Sequence, residues 1–241
     1  MIARILWRVV LLAIAIVTIG LQIDRQTRRT PELSASVPEL VRSSAQTGVA
    51  AFAVAGDDPQ YALQEAERLI RRRPLPAEHL RILAQAQFNA GQLNESALTI
   101  QYAAQRGWRE PLAQESMARL ALQAGDEPEA VRRFIALFVR RDTADSLLEE
   151  LGPLVLAEPG GVGRTTFVEI LNGADRWHGQ FLTRGVRVIP PLAFAEILIS
   201  SIEDGTRFDC TDLRTATDRL QRRDADAADN VATAIDGKCP A

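Results

Sequence analysis

Apolar positions run almost unbroken near the start of the chain and become periodic after it. Residues 5–23 carry polar side chains only at Arg8, Thr18 and Gln22. A helix rises about 1.5 Å per residue, so this stretch matches a hydrocarbon core about 30 Å thick. The pattern predicts a membrane anchor over residues 1–23, with Trp7 at the interface and Arg8 snorkelling. A cleaved signal peptide is the rival reading, although the flank LQIDRQTRR offers no A-x-A site and no cysteine. Residues 24–42 are polar, hold Pro31 and Pro38, and read as a linker.

From residue 43 the apolar positions recur at helical spacing, interrupted at intervals. Gly91 and Gly125 stand 34 residues apart. Aligned on them, Leu80, Leu83 and Ala84 correspond to Met117, Ala118 and Ala121 in a first helix. Ala97, Ile100 and Ala103 correspond to Ala130, Phe134 and Leu137 in a second. An earlier unit fits upstream, with a first helix over residues 43–54, a turn at Gly56 and Asp57, then Ala62, Ala66 and Leu69, and Pro74. Small residues at Ala84 and Ala118 permit close helix approach.

Over residues 43–142 this pattern resembles the tetratricopeptide (TPR) repeat. Leu80 and Gln114 depart from it where a large aromatic is usual, as does Ser96 where alanine is usual. The resemblance implies an all-α fold: a TPR-like α-solenoid of antiparallel helix pairs, each burying the apolar face its neighbour cannot cover alone. It also implies a concave face lined by first helices, here Arg81, Gln85, Phe88 and Asn89, then Glu115, Arg119 and Leu122. A protein or peptide partner would dock there.

The period fades in residues 143–241, which read as a degenerate helical repeat or cap. Thr143 or Asp145 is placed to cap a helix running to Leu156, and helices are expected over 165–171, 176–185, 191–202 and 213–235. Cys210 and Cys239 are the only cysteines. Paired, they would close a loop of about 30 residues, stabilise by roughly 3–4 kcal/mol and staple the last helix to the one before it. Two unpaired thiols are the alternative. A disulfide needs an oxidising compartment, which favours a periplasmic C-terminal part. Flanking charge does not decide, since Arg4 and Arg8 precede the span and Arg25, Arg28 and Arg29 follow it.

Net charge is −3, so nucleic acid is not an expected partner. All basic residues except Lys238 are arginine, and alanine is abundant, as in high-GC bacterial genomes. The sequence Pro159-Gly-Gly-Val-Gly-Arg-Thr-Thr166 imitates a phosphate loop, with Leu154 to Ala157 as a would-be strand. However, Arg164 stands in place of the lysine and too little chain follows for the remaining sheet. An interhelix loop is the reading preferred. His79 is expected exposed at a helix start, and His178 packed locally beside Trp177. No catalytic set, cofactor motif or metal-ligand spacing stands out.

The order of anchor, TPR-like helices, Arg140–Asp142, a Leu-Gly-Pro-Leu-Val helix and a segment with Trp177 and Phe181 resembles membrane TPR proteins of envelope and exopolysaccharide gene neighbourhoods. The expectation is a non-enzymatic interaction scaffold at the inner membrane. The alternative is a chaperone-like periplasmic module for unfolded or translocating clients. A C-terminal alkaline phosphatase fusion is expected to be active in cells. Activity from a cytoplasmic reporter alone would remove both the periplasmic placement and the disulfide argument.

Overall fold

The computed structural model describes residues 2–107, 109–236 and 238–239, with side chains from residue 4 onward. The fold is all-α, and no strand occurs among the described residues. The chain divides into two compact units, Met1–Glu110 and Pro111–Ala241.

The first unit opens with α1 (Ile2–Gln26), the apolar run, which is long and apolar enough to cross a membrane. Two 3-10 turns follow, Pro31–Ser36 and Glu39–Val41, and both pack back on α1. The tract expected to be a linker is therefore folded. The carboxylate of Asp24 fixes it: its oxygens accept from the backbone N–H groups of Ser43, Ser44 and Ala45 at 2.8, 2.9 and 2.8 Å. These donors begin α2 (Ala45–Val54) and have no partner inside that helix. A carboxylate suits a helix N-terminus both as acceptor and by charge. Because Asp24 lies 20 residues upstream of Ser44, helix periodicity does not reveal the cap.

Next come α3 (Pro59–Arg72), α4 (Ala77–Asn89) and α5 (Leu93–Arg106). The core of the unit is rich in alanine: Ala50, Ala53, Ala62, Ala66 and Ala86, with Leu63, Leu69 and Ile82. Small side chains let α2, α3 and α4 pack closely, and Ala84 on α4 is also buried. Polar groups are also buried between α2 and α3. Gln46 donates to the Glu65 carboxylate at 2.7 Å and accepts from Arg72 at 3.0 Å, while Arg68 pairs with Glu65 at 2.7 Å.

The second unit contains α6 (Pro111–Ala124), α7 (Glu127–Phe138), α8 (Asp145–Val155) and α9 (Val162–Asn172). A 3-10 turn (Asp175–Trp177), α10 (His178–Gln180), a π turn (Phe181–Gly185) and α11 (Val186–Val188) replace the single helix expected over 176–185. Then come α12 (Pro191–Glu203), α13 (Cys210–Gln221) and α14 (Ala225–Ile235). Its core is aromatic. Phe134 and Phe138 on α7 meet Phe167 on α9, which meets Trp177 and Phe181, and Phe181 stacks on Phe194 at 4.9 Å. These contacts tie α7 to the chain that follows it.

Both glycines that define the 34-residue spacing end a first helix. Gln92 N–H reaches the Gln87 carbonyl at 2.8 Å and Gly91 N–H reaches Phe88 at 3.0 Å. Asp126 to Ala121 and Gly125 to Leu122 repeat that pattern at 2.9 and 3.2 Å. This is the Schellman arrangement. Gly91 and Gly125 have φ of +79° and +71° with nothing crowding the missing side chain. Backbone conformation alone selects glycine there, since a left-handed L-residue costs roughly 1–2 kcal/mol. Burial follows the same interval. Ala66, Ile100 and Phe134 are all buried, as are Leu69, Ala103 and Leu137.

Several expectations in the second unit are corrected. Neither Thr143 nor Asp145 caps α8; the position before it is Ala144, without a side-chain bond. Asp145 instead pairs with Arg184 at 2.8 Å and Arg187 at 3.2 Å. The helix expected over 213–235 is broken because Asp224 turns to cap Ala227 N–H at 3.0 Å. Cys210 and Cys239 are bonded, with Cα atoms 5.6 Å apart. They join the start of α13 to the segment after α14, closing that hairpin rather than stapling it to an earlier helix.

His79 does lie in the first turn of α4, but it is buried, only 2% exposed, not solvated. Its Nδ1–H donates to the Arg73 carbonyl at 2.8 Å, which leaves Nε2 to accept from the Thr47 hydroxyl at 3.1 Å. Burial holds the imidazole pKa below its ordinary value. The bond to Arg73 and the Glu78 charge oppose this shift, and the Arg73 charge reinforces it. The unfolded chain then binds a proton at about pH 6.5 that the folded chain does not. Stability from this group is complete above that pH and declines as pH falls toward the folded pKa. Thermal unfolding of the detergent-solubilised protein between pH 8 and 5 is expected to lose less stability in His79→Gln than in the wild type. Equal slopes would show that His79 does not couple to folding.

Candidate functional site

The seven side chains expected to line a groove fall in both compact units. In the first unit, Arg81 is taken by Glu110 at 2.9 Å. Gln85 donates to Asn89 at 3.0 Å, and Asn89 donates to the Val54 carbonyl at 3.2 Å, tying the end of α4 to the end of α2. His79 ties the start of α4 to Thr47, so the two helices run in the same direction. Phe88 is 58% exposed. In the second unit, Arg119 bridges Glu115 and Glu150, each at 2.9 Å, and joins α6 to α8. Leu122 packs against the aromatic core. Six of the seven, all but Phe88, are thus engaged within their own unit. Gln85, Phe88 and Asn89 remain at the surface.

Phe52, which the sequence pattern does not single out, is exposed as well, as are Tyr61 and Tyr102. Phe52 is 58% exposed on α2, as Phe88 is on α4. Each lies in the last turn of a first helix, two residues before Val54 and one before Asn89. Of the eight phenylalanines, the other six are buried or packed on the aromatic core. The near-repeat of Phe52 and Phe88 was the available sequence signal. A shallow cavity of about 540 Å3 opens beside Phe52, lined also by Val49, Asp57, Asp58 and Tyr61.

The glycine-rich segment has a different use. Gly160 N–H donates to Glu196 at 2.7 Å, and Gly163 N–H to Glu127 at 3.2 Å. Arg164, buried, donates to the Leu156 carbonyl at 3.0 Å and the Ala157 carbonyl at 3.3 Å and is bonded to Glu196. Donors that would cradle a phosphate already hold carboxylates, and a phosphate brought there would face two like charges. Residues 154 and 155, the start of the would-be strand, belong to α8. Gly163 is required by packing: a side chain there would lie 2.6 Å from the Val155 carbonyl. Only residues 156–161 form the interhelix loop, because residues 162–166 begin α9, and the segment's bonds reach α7 and α12.

No protein-family model, curated protein or solved structure matches the chain.

A second cavity, about 690 Å3, is lined by His178, Asp175, Asp204, Asp209 and Asp212 among others. His178 Nε2–H donates to the Leu171 carbonyl at 2.8 Å and the ring packs on Phe208. Asp209 caps α13, and Asp204 accepts from Asn172. These groups serve helix ends and turns. Among the described residues, no three His, Cys, Asp or Glu side chains are grouped to hold a metal.

Arg164→Lys recreates the lysine of a phosphate loop. The variant is expected to show no ATP–Mg²⁺ binding by calorimetry and to lose about 1–3 kcal/mol of stability, because the Leu156 and Ala157 carbonyls lose donors. Measurable nucleotide affinity in either form would overturn the structural reading of this loop.

Proposed function

We propose that the chain is a non-enzymatic protein-interaction scaffold, held at a bacterial inner membrane by α1, whose TPR-like helix pairs bind an envelope protein. The pairing of Phe52 with Phe88 carries this reading. Aromatic side chains are scarce in the chain, yet these two stand in solvent at corresponding ends of parallel first helices. Exposed aromatics of this kind favour protein contacts because they bring large apolar area at small entropic cost. The 34-residue recurrence of left-handed glycines and buried positions supports the TPR-like assignment. The bonded Cys210 and Cys239 favour a periplasmic C-terminal part, and the likeness of element order favours polysaccharide synthesis or export as the setting.

Both phenylalanines can be replaced at little cost to folding, since exposed substitutions stay within about 0.5 kcal/mol. The double variant Phe52→Ser/Phe88→Ser is expected to keep the wild-type melting temperature and lose in-cell cross-links to a single envelope protein. Undiminished cross-linking would refute this face as the contact. Cross-links to many unfolded chains would favour the chaperone-like module.

A further inference from the structure

The two 3-10 turns after α1 leave an apolar side chain with no protein cover, beside the membrane-length helix. Val41 lies directly against Gly20: a side chain built on that glycine would meet Val41 Cγ2 at 3.2 Å. Gly20 belongs to the apolar stretch of residues 5–23, three residues or about 4.5 Å before its end. The neighbouring Leu40 is 99% exposed, and Leu33 on the preceding turn is also exposed.

The turn is held in place. Arg42 Nε donates to the Val37 carbonyl at 2.6 Å, and Asp24 on α1 accepts from Ser43 immediately after it. The charges nearby are predominantly basic. Arg25 and Arg29 are exposed, and among the described residues no carboxylate lies within ion-pair distance of either. Glu39 is turned to Arg68 at 3.5 Å and Arg72 at 3.9 Å; Glu32 is exposed.

We propose that Leu40 inserts into the same bilayer as α1, making the Glu39–Val41 turn a second, shallow membrane contact while Arg25 and Arg29 meet lipid phosphates. The proposal rests on the reading that α1 spans a bilayer. With residues 5–23 in the hydrocarbon core, the level of Gly20 falls just inside its boundary, and Val41 holds Leu40 at that level. An apolar side chain seated a few ångströms inside the headgroup boundary, with arginines at phosphate depth, is the arrangement of interfacial anchors. A partner's transmembrane helix packed on Leu40 is the competing occupant.

The test uses the full chain, one copy per nanodisc of phosphatidylcholine and phosphatidylglycerol, with Cys210 and Cys239 left paired. Spin labels are placed singly through Leu40→Cys, Ile14→Cys and Leu75→Cys, and accessibility to oxygen and to a nickel chelate is measured. Leu40 is fully exposed, so the label does not disturb the fold. The oxygen-to-nickel ratio at residue 40 is expected to be several-fold above that at residue 75 and below that at residue 14. A ratio at residue 40 equal to that at residue 75, with residue 14 deep in lipid, overturns the Leu40 contact and leaves the span standing. An aqueous value at residue 14 overturns the span and the contact with it.

Discussion

A carboxylate at the end of an apolar helix must either reach water or collect hydrogen-bond donors, because burying it unpaired is costly. Asp24 takes the second course: only 4% exposed, it accepts from three successive backbone N–H groups. Those groups are orphans at the start of α2, so one interaction satisfies two elements that would otherwise each lack partners. It also joins α1 to the helical body without a free linker. The position of the Glu39–Val41 turn beside Gly20 and the fixed start of α2 both follow from this joint.

The second unit solves a related problem with arginine. Helices that end in buried surroundings leave carbonyls without donors, and a guanidinium offers five N–H groups in a planar fork. Arg184 donates to the carbonyls of Phe138, Arg140 and Thr143 and packs over the Phe138 ring, fixing the connection from α7 to α8. Arg164 does the same between α8 and α9, and Arg223 reaches the carbonyls of Val186 and Ile189. Lysine has three donors around one point and would leave several of these carbonyls unmet. The near-absence of lysine thus has a structural use, whatever its genomic origin.

Local patterns were legible in the sequence, and long-range pairings were not. Gly91 and Gly125 announced their turns because a left-handed residue at a helix end is a local demand. Helix bounds such as Pro191–Glu203 followed from periodicity and proline placement. The glycine-rich loop could only be judged fully from Glu127 and Glu196, 36 residues from the glycines they bind. His79 looked solvated because its partners, Thr47 and the Arg73 carbonyl, are not marked by helical spacing. The packing of α7 was hidden for the same reason: it continues the 34-residue period, yet Phe134 and Phe138 pack with rings that lie later in the chain. In the expected groove, Arg81 and Arg119 found carboxylates from Glu110 and Glu150 that the period does not align with them.

The proposed lipid contact and the proposed partner face constrain one another through α2. Its first residues are held at Asp24, while Phe52 lies near its other end, up to about 10 Å along the helix from Ala45. Phe88 lies at the same end, because α4 runs parallel to α2 and is tied to it at both ends, through His79 and Asn89. With α1 in a bilayer, the apolar side chains of unit 1 therefore divide by position. Leu40 stands at the joint, where lipid is the available apolar phase, and the two phenylalanines stand at the end of α2 and α4 opposite it. A partner meeting Phe52 and Phe88 would find the helices that carry them already held by Asp24, His79 and Asn89, so little backbone freedom remains to be lost on binding. That preorganisation favours a defined partner over many unfolded chains, since a client-accepting surface needs side chains and loops that can re-pack.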